Sequence, residues 1–331
     1  MYKRQDKDYE ILSAFLINKV HVETINEEID PKQEEVLNKS IYEDKMEKTN
    51  PFEKEYLQVV KQTEKIFMDI EGGMIPPILE IRTFLLPLVQ HAMKKPTLIL
   101  DILKYGQARP YMANHAVSVS IITVLLAIKA CFNEKEIPQI ALAAYLHNIG
   151  QLKVHPSILN KSSALTQEEF EEIQRHPSLG YNIIKKATGL TDGVKLAVLQ
   201  HHEREDGSGY PNGIQGEQIH PYAKMIAITD LYYAMCSERP YKRAKSPFLV
   251  LEQIKNDSYG KLDAKFVYFF VEMLTSYLKI GARVMLSNGV FGEVVFMDPN
   301  SPTKPLINSN GELINLQKAK DIYIEYLELS S

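Results

Sequence analysis

The sequence predicts a mostly α protein, a helical bundle followed by a small C-terminal β module. Two observations carry this. From Asn50 to about residue 279, apolar residues recur at three- and four-residue spacing between capping residues and Pro or Gly. At Gly281 the period drops to two: Arg283-Val284-Met285-Leu286, a Ser287-Asn288-Gly289 turn and a second run from Phe291 to Met297 read as strand, tight turn, strand. With 331 residues, 45% of them hydrophobic, the chain has enough apolar surface for a real core.

The elements follow in order. Residues 1–50 carry eight Lys/Arg against twelve Asp/Glu, the whole of the net charge of −4, and read as a separate acidic segment. Residues 51–279 form the helical region. Asn50-Pro51-Phe52-Glu53 supplies an N-cap, a proline at the first helical position and an acid at the third. Tyr56, Val59, Val60, Ile66, Phe67 and Ile70 continue the helix to Gly72-Gly73. Helical patterns recur at about 76–95, 111–131 and 134–148, and Thr166/Glu169 is a capping box for the next. Others follow at about 177–187, 192–203 and 221–237, and Ser246-Pro247 and Asp263 begin two more. Residues 280–331 form the β module, with Asn310-Gly311 and the alternation Ile322, Ile324, Tyr326 marking two or three further strands. No internal repeat or low-complexity tract is visible.

Several classes are set aside. A net charge of −4 gives no bulk affinity for a nucleic-acid polymer. Cys131 and Cys236 both lie in apolar helical patterns and read as buried free thiols, so no disulfide framework is expected. Acidic residues occupy the N-terminus where a signal peptide needs a basic region, and the uncharged run Ala116 to Ile128 is short for a membrane span. The expectation is a cytoplasmic protein with no membrane partner.

Chemistry concentrates in the histidines. His115 lies in one helical stretch, His147-Asn148 ends the next, His176 precedes Pro177, His201-His202 end another, and Asp230 lies within a further one. Neutral imidazoles and a carboxylate at the ends of packed helices can converge on a metal in a bundle core. His21, His91, His155 and His220 read as ordinary surface or satisfied residues.

The order of these residues, with one loop, resembles a known family. Tyr145-Leu146-His147-Asn148-Ile149-Gly150, His176-Pro177, and His201-His202-Glu203-Arg204-Glu205-Asp206-Gly207-Ser208-Gly209-Tyr210-Pro211 are followed by Ile228-Thr229-Asp230 and Arg239-Pro240-Tyr241-Lys242. This is similar to the HD-GYP family of cyclic di-GMP phosphodiesterases, within the HD hydrolases, over about residues 105–260. The resemblance implies an HD-type helical bundle and a divalent metal cofactor (iron, manganese or zinc). It implies that His115, His147, residue 148 and Asp230 hold one ion, and that His176, His201 and His202 hold a second, with the acid at 148 bridging both. The ions would clamp a phosphate and generate a hydroxide for in-line attack. Tyr210 and Pro211 would face the substrate, and Arg239 and Lys242 match basic ligand-contacting positions.

The resemblance breaks at the catalytic motif. The family's bridging Asp is Asn148, whose amide has one oxygen, no charge and no second lone-pair donor. The family's Lys is Gln151, which removes a cation from beside the reacting phosphate. Tyr233 stands in place of an Asp, and Tyr111 in place of the Glu of three-metal members, so a third metal is not expected. With Asn148 a two-metal site is one unit more positive, which weakens the second ion; the three-His group can hold one alone.

The reading that follows is a cyclic di-GMP signalling protein. It binds that or a related cyclic dinucleotide, or a protein partner, with impaired or absent phosphodiesterase activity at Asn148 and Gln151. Two alternatives stand beside it, an active phosphodiesterase that tolerates both replacements and a non-catalytic scaffold. The sequence leaves oligomeric state open.

Overall fold

Asn50 starts the first helix because its side chain accepts the Glu53 amide at 2.8 Å while Pro51, at the first position, has no amide to satisfy. The computed structural model describes residues 50–105, 111–159, 161, 163, 165–237, 244–257, 259–319 and 321–328. The acidic segment with His21, and Arg239 and Lys242, lie outside the described residues.

Among the described residues, eleven helices of seven residues or more and five strands follow the order read from the sequence. The helices are α1 (Pro51–Glu71), α2 (Ile78–Lys94), α3 (Ile99–Tyr105), α4 (Tyr111–Lys129), α5 (Ile137–Leu146), α6 (Gln167–Gln174), α7 (His176–Ile184), α8 (Asp192–Gln200), α9 (Pro221–Cys236), α10 (Pro247–Asp257) and α11 (Ala264–Thr275). A 3-10 segment, Ile149–Lys153, and one short turn, Pro156–Leu159, lie between α5 and α6. The capping box at Thr166/Glu169 forms, and Asp263 accepts the amides of Lys265 and Phe266 to start α11. Of these eleven helices, α3 has no counterpart in the sequence reading.

The core is built around α4, which packs against α1, α2, α5, α9 and α11. Every residue from Ala113 to Ala127 is buried, as expected of a helix apolar on all sides. At 19 residues it has the length and composition to cross a membrane, but 83% of its apolar window is buried inside the protein, which makes it the bundle's central helix. Its polar residues find partners on neighbouring helices: Ser118 with Tyr56 of α1 (2.7 Å), Ser120 with the Ala141 carbonyl of α5 (2.9 Å) and Thr123 with Thr229 of α9 (2.7 Å).

The expectation of two buried thiols fails at Cys131, which is exposed; Cys236 is buried. The helix stops two residues earlier, at Lys129, and Cys131 turns left-handed at φ 61°. The amides of Cys131 and Phe132 return to the carbonyls of Ile128 and Ala127, a pairing that ends the helix and turns the thiol outward.

The five strands, β1 (Arg283–Leu286), β2 (Phe291–Phe296), β3 (Leu306–Ser309), β4 (Glu312–Asn315) and β5 (Ile324–Leu327), form one antiparallel sheet in the order β4-β3-β2-β1-β5. Asn310 (φ 51°) and Gly311 (φ 91°) make the tight β3–β4 turn that Asn-Gly announces. Val284, Leu286, Val294, Ile307 and Ile324 are buried, and the sheet meets the helical body at α10. There Ser246 donates to the Ile324 carbonyl, Thr303 donates to Glu252, and Lys304 pairs with the same carboxylate at 3.1 Å.

Candidate metal centre and cavity

Helix ends explain why these histidines gather with their ring nitrogens set. The last carbonyls of a helix have no partner within it. His147, just past α5, donates from Nδ1 to the Ala144 carbonyl at 2.6 Å. His176, just past α6, does the same to Ile173 at 2.7 Å, and His201, just past α8, to Val198 at 2.9 Å. A carbonyl only accepts, so Nδ1 carries a proton in all three and Nε2 is the nitrogen that points inward.

Two glycines bring the pieces within reach. A Cβ on Gly150 would lie 1.9 Å from the His176 carbonyl oxygen, and one on Gly180 would lie 3.0 Å from Val198. The turn after His147-Asn148 therefore presses directly onto α7, which lies against α8.

Two groups result, one of His176, His201 and His202, the other of His115, His147 and Asp230, each with ligand atoms within 4.8 Å of one another. In the first, Nε2 of His176 and Nε2 of His201 are 3.1 Å apart. Burial holds His176 down to about 4, and burial above all holds His201 and His202 well below the usual imidazole range, so the rings are neutral at pH 7. Two neutral rings with both Nδ1–H groups committed elsewhere face each other lone pair to lone pair. No hydrogen bond can form there; a shared cation resolves the contact. Ligands about 2.0–2.1 Å from one ion at tetrahedral or right angles lie about 3 Å apart. The donor set fits a metal.

In the second group, His115 Nε2 is 3.0 Å from Asp230 Oδ1 and 3.3 Å from His147 Nε2, and His147 Nε2 is 3.6 Å from the same oxygen. Burial works to raise the Asp230 carboxyl, but the contacts from His115 and His147 hold it well below the usual carboxylate range. Asn148 turns its Nδ2 to His115 Nε2 at 3.2 Å, and its one oxygen accepts from Gln151 Nε2 at 3.0 Å. That oxygen is therefore engaged by the neighbouring amide. Tyr111, one turn before His115, places its hydroxyl 3.2 Å from His115 Nδ1.

A cavity of about 260 Å³ opens over both groups, lined among others by Tyr111, His115, Asn148, Gln151, His202 and Tyr210. Pro211 and Tyr233 do not line it. The Tyr233 ring is fully buried and meets the edge of His115 at 5.3 Å, so it replaces a carboxylate with core packing and takes no cavity space.

The Gly209-Tyr210-Pro211 loop is held against α8 by residues that sequence reasoning left without a role. A Cβ on Gly209 would lie 2.4 Å from Glu203 Cα, so only glycine lets the loop close. The buried Glu203 carboxylate accepts the Asn212 amide at 2.7 Å and the Ile214 amide at 3.2 Å. These bonds place the Tyr210 ring parallel to His202, 4.6 Å between centroids at 19°. Arg204 donates to the Glu203 carbonyl at 2.8 Å and is half-buried. Nothing in the sequence distinguishes Arg204 from a solvated loop cation; only the motif around Glu203 offered a signal. His91 pairs with Glu55 (2.8 Å), His155 with Ser157 (2.7 Å), and His220 caps α9.

Comparison with known proteins adds the following. Residues 107–265 match the HD domain family model. A cyclic di-GMP phosphodiesterase from Pseudomonas aeruginosa is 31% identical over 215 residues, 65% of this chain and 51% of that protein. A 3′3′-cGAMP-specific phosphodiesterase from Vibrio cholerae is 33% identical over 135 residues, 41% of this chain and 29% of that one. The chain thus spans about half the length of the first relative and less of the second. Among solved structures, an HDG"Y"P protein from Bdellovibrio bacteriovorus superposes with a TM-score of 0.56 over 74% of this chain and 81% of that one, at 15% identity, a likeness of fold.

Proposed function

We propose that this chain, whose residues 107–265 match the HD domain family model, is an HD-GYP protein whose cavity binds a cyclic dinucleotide, with phosphodiester hydrolysis impaired or absent. The observation that carries the reading is the contrast between the two donor groups. His176 and His201 present facing lone pairs at 3.1 Å, with His202 beside them. The second group has Asn148 in place of a carboxylate, its oxygen already bonded to Gln151.

His176, His201 and His202 would hold one divalent cation, iron, manganese or zinc, and His115, His147 and Asp230 a second, weaker one. A bound cation supplies positive charge to a phosphate oxygen. The Tyr210 ring, fixed on His202, offers a flat apolar face against which a base can stack. Gln151 offers the phosphate a neutral amide where an ammonium would stabilise developing charge, and this is the expected seat of the lost rate. Arg239 and Lys242 are proposed as the basic contacts to the ligand.

The test pairs elemental analysis with a binding and turnover measurement on the full chain. Fewer than two metals per chain should survive dialysis, and calorimetric titration with cyclic di-GMP should show binding while chromatography shows the dinucleotide unconsumed. Two full equivalents of metal with rapid conversion to a linear product would establish the active phosphodiesterase instead. No binding of cyclic di-GMP or 3′3′-cGAMP would leave the scaffold reading.

A further inference from the structure

We propose that Tyr111, His115, Asn148 and Gln151 form one reversible hydrogen-bond chain that presents or withholds the metal-binding nitrogen of His115, with its direction set at Gln151. The inference rests on the reading of His115 as a metal ligand. The links are continuous: Tyr111 Oη to His115 Nδ1 at 3.2 Å, His115 Nε2 to Asn148 Nδ2 at 3.2 Å, and Asn148 Oδ1 to Gln151 Nε2 at 3.0 Å.

His115 differs from its neighbours in what fixes its proton. The rings of His147, His176 and His201 are locked by backbone carbonyls at helix ends. His115 lies inside α4, and its Nδ1 faces a phenol, which can donate or accept. Amides on the other side have the same freedom, because turning one over exchanges donor for acceptor with almost no change of shape.

Two directions follow. In one, Gln151 donates to the Asn148 oxygen, Asn148 donates to His115 Nε2, and His115 donates from Nδ1 to the Tyr111 oxygen. Nε2 then keeps its lone pair, which also faces Asp230 Oδ1 at 3.0 Å and His147 Nε2 at 3.3 Å, and a cation shared by these three atoms displaces the amide hydrogen bond. In the other, Tyr111 donates to Nδ1 and Nε2–H donates toward the Asn148 oxygen, with Asp230 Oδ1 at 3.0 Å as a second acceptor. Asn148 then donates to the Gln151 oxygen. The ligand nitrogen now carries a proton, and the group is satisfied without metal. The Asp and Lys of the family pattern cannot do this, since a carboxylate only accepts and an ammonium only donates.

Gln151 is at the far end of the chain and lines the cavity. An acceptor there, such as a phosphate oxygen, draws its NH2 group outward and favours the withheld state. A donor favours the presented one. Occupancy of the cavity and affinity for the second metal are thereby coupled.

The experiment uses the full chain, stripped of metal and labelled with nitrogen-15. Gln151→Glu can only accept and should force the Nε2–H form of His115. Gln151→Lys can only donate and should force the Nδ1–H form. Long-range proton–nitrogen correlations of the imidazoles report this, with the His115 signal assigned by its loss in His115→Gln. Opposite forms in the two variants, with His147, His176 and His201 unchanged, are expected. The same form in both overturns the chain. Zinc titration then separates the chain from plain electrostatics. Through-space charge alone makes the Glu variant the tighter binder, whereas the chain makes its second zinc site roughly 10–100-fold weaker than in the Lys variant, the range for partners of a metal-bound imidazole. A tighter or equal second site in Gln151→Glu overturns the coupling. Opposite ring forms with no zinc bound by any variant would keep the chain and remove the reading of His115 as a ligand.

Discussion

Asn148 and Gln151 touch, at 3.0 Å, so their replacement acts as one change and not two. Asn148→Asp alone should raise metal content with little turnover, Gln151→Lys alone should add almost none, and the pair should exceed the sum of the two. The cation's share is on the order of 10²–10³ in rate. Steady-state hydrolysis of cyclic di-GMP measures this, and wild type matching the double variant would defeat it. A second consequence at this scale concerns acid. His176 titrates at about 4 in the fold, because burial disfavours its charged form, against about 6.5 in the unfolded chain. The unfolded state therefore binds the extra proton first. Stability of the metal-free protein is full above pH 6.5 and declines as pH falls toward 4, with His201 and His202 acting in the same direction. Thermal melts of metal-free protein between pH 8 and 4 should show the decline; a flat profile from 6.5 to 4 would contradict it. Single residues were legible where chemistry is scarce: five histidines and an aspartate in a fixed order stand out. Arg204 did not, since its burial depends on how the loop folds back, and Tyr233 showed its role only once its ring was seen packed under His115.

Elements were read well wherever a side chain caps a helix, as at Asn50, Thr166 and Asp263, because a cap is local chemistry written in adjacent residues. The seven-residue α3 has no such signal, and the end of α4 at Cys131 needed a left-handed residue that is usually glycine. Close approaches between elements were equally hidden, since a glycine in a sequence does not say what it lies against. Gly150→Ala puts a methyl into the His176 carbonyl and should push the Asn148 turn off α7, costing roughly 1–3 kcal/mol or more and lowering metal content. Gly209→Ala meets Glu203 and Arg204 backbone, but in a loop. It should displace Tyr210 from His202 and weaken ligand binding while the helical circular dichroism stays intact. Equal ligand affinity in Gly209→Ala and wild type would show that the Tyr210 face is not used.

At the scale of the whole molecule, the change of period at Gly281 shows where helix gives way to strand but not how the two are joined. That depends on α10 and the residue before it: Ser246 reaches Ile324, and Glu252 reaches Thr303 and Lys304. Buried residues of the sheet, Val284, Leu286 and Ile324 among them, belong to the same continuous core as the helices. A five-stranded sheet of four- to six-residue strands has little apolar face to spare and needs this support. Residues 280–331 and the helical region should therefore melt in one transition. Metal binds only the native fold, so loading the His176 group should raise that single midpoint, in proportion to the logarithm of free metal above its dissociation constant. Glu252→Ala removes the acceptor for Thr303 and the partner of Lys304, leaving a buried hydroxyl unsatisfied; a loss of about 1–3 kcal/mol is expected. It should lower the same midpoint without changing metal stoichiometry, because Glu252 lies outside the cavity. Calorimetry of metal-free and metal-loaded protein checks all three statements. Two separate transitions, with metal raising only the first and Glu252→Ala lowering only the second, would show a sheet that folds independently of the metal centre.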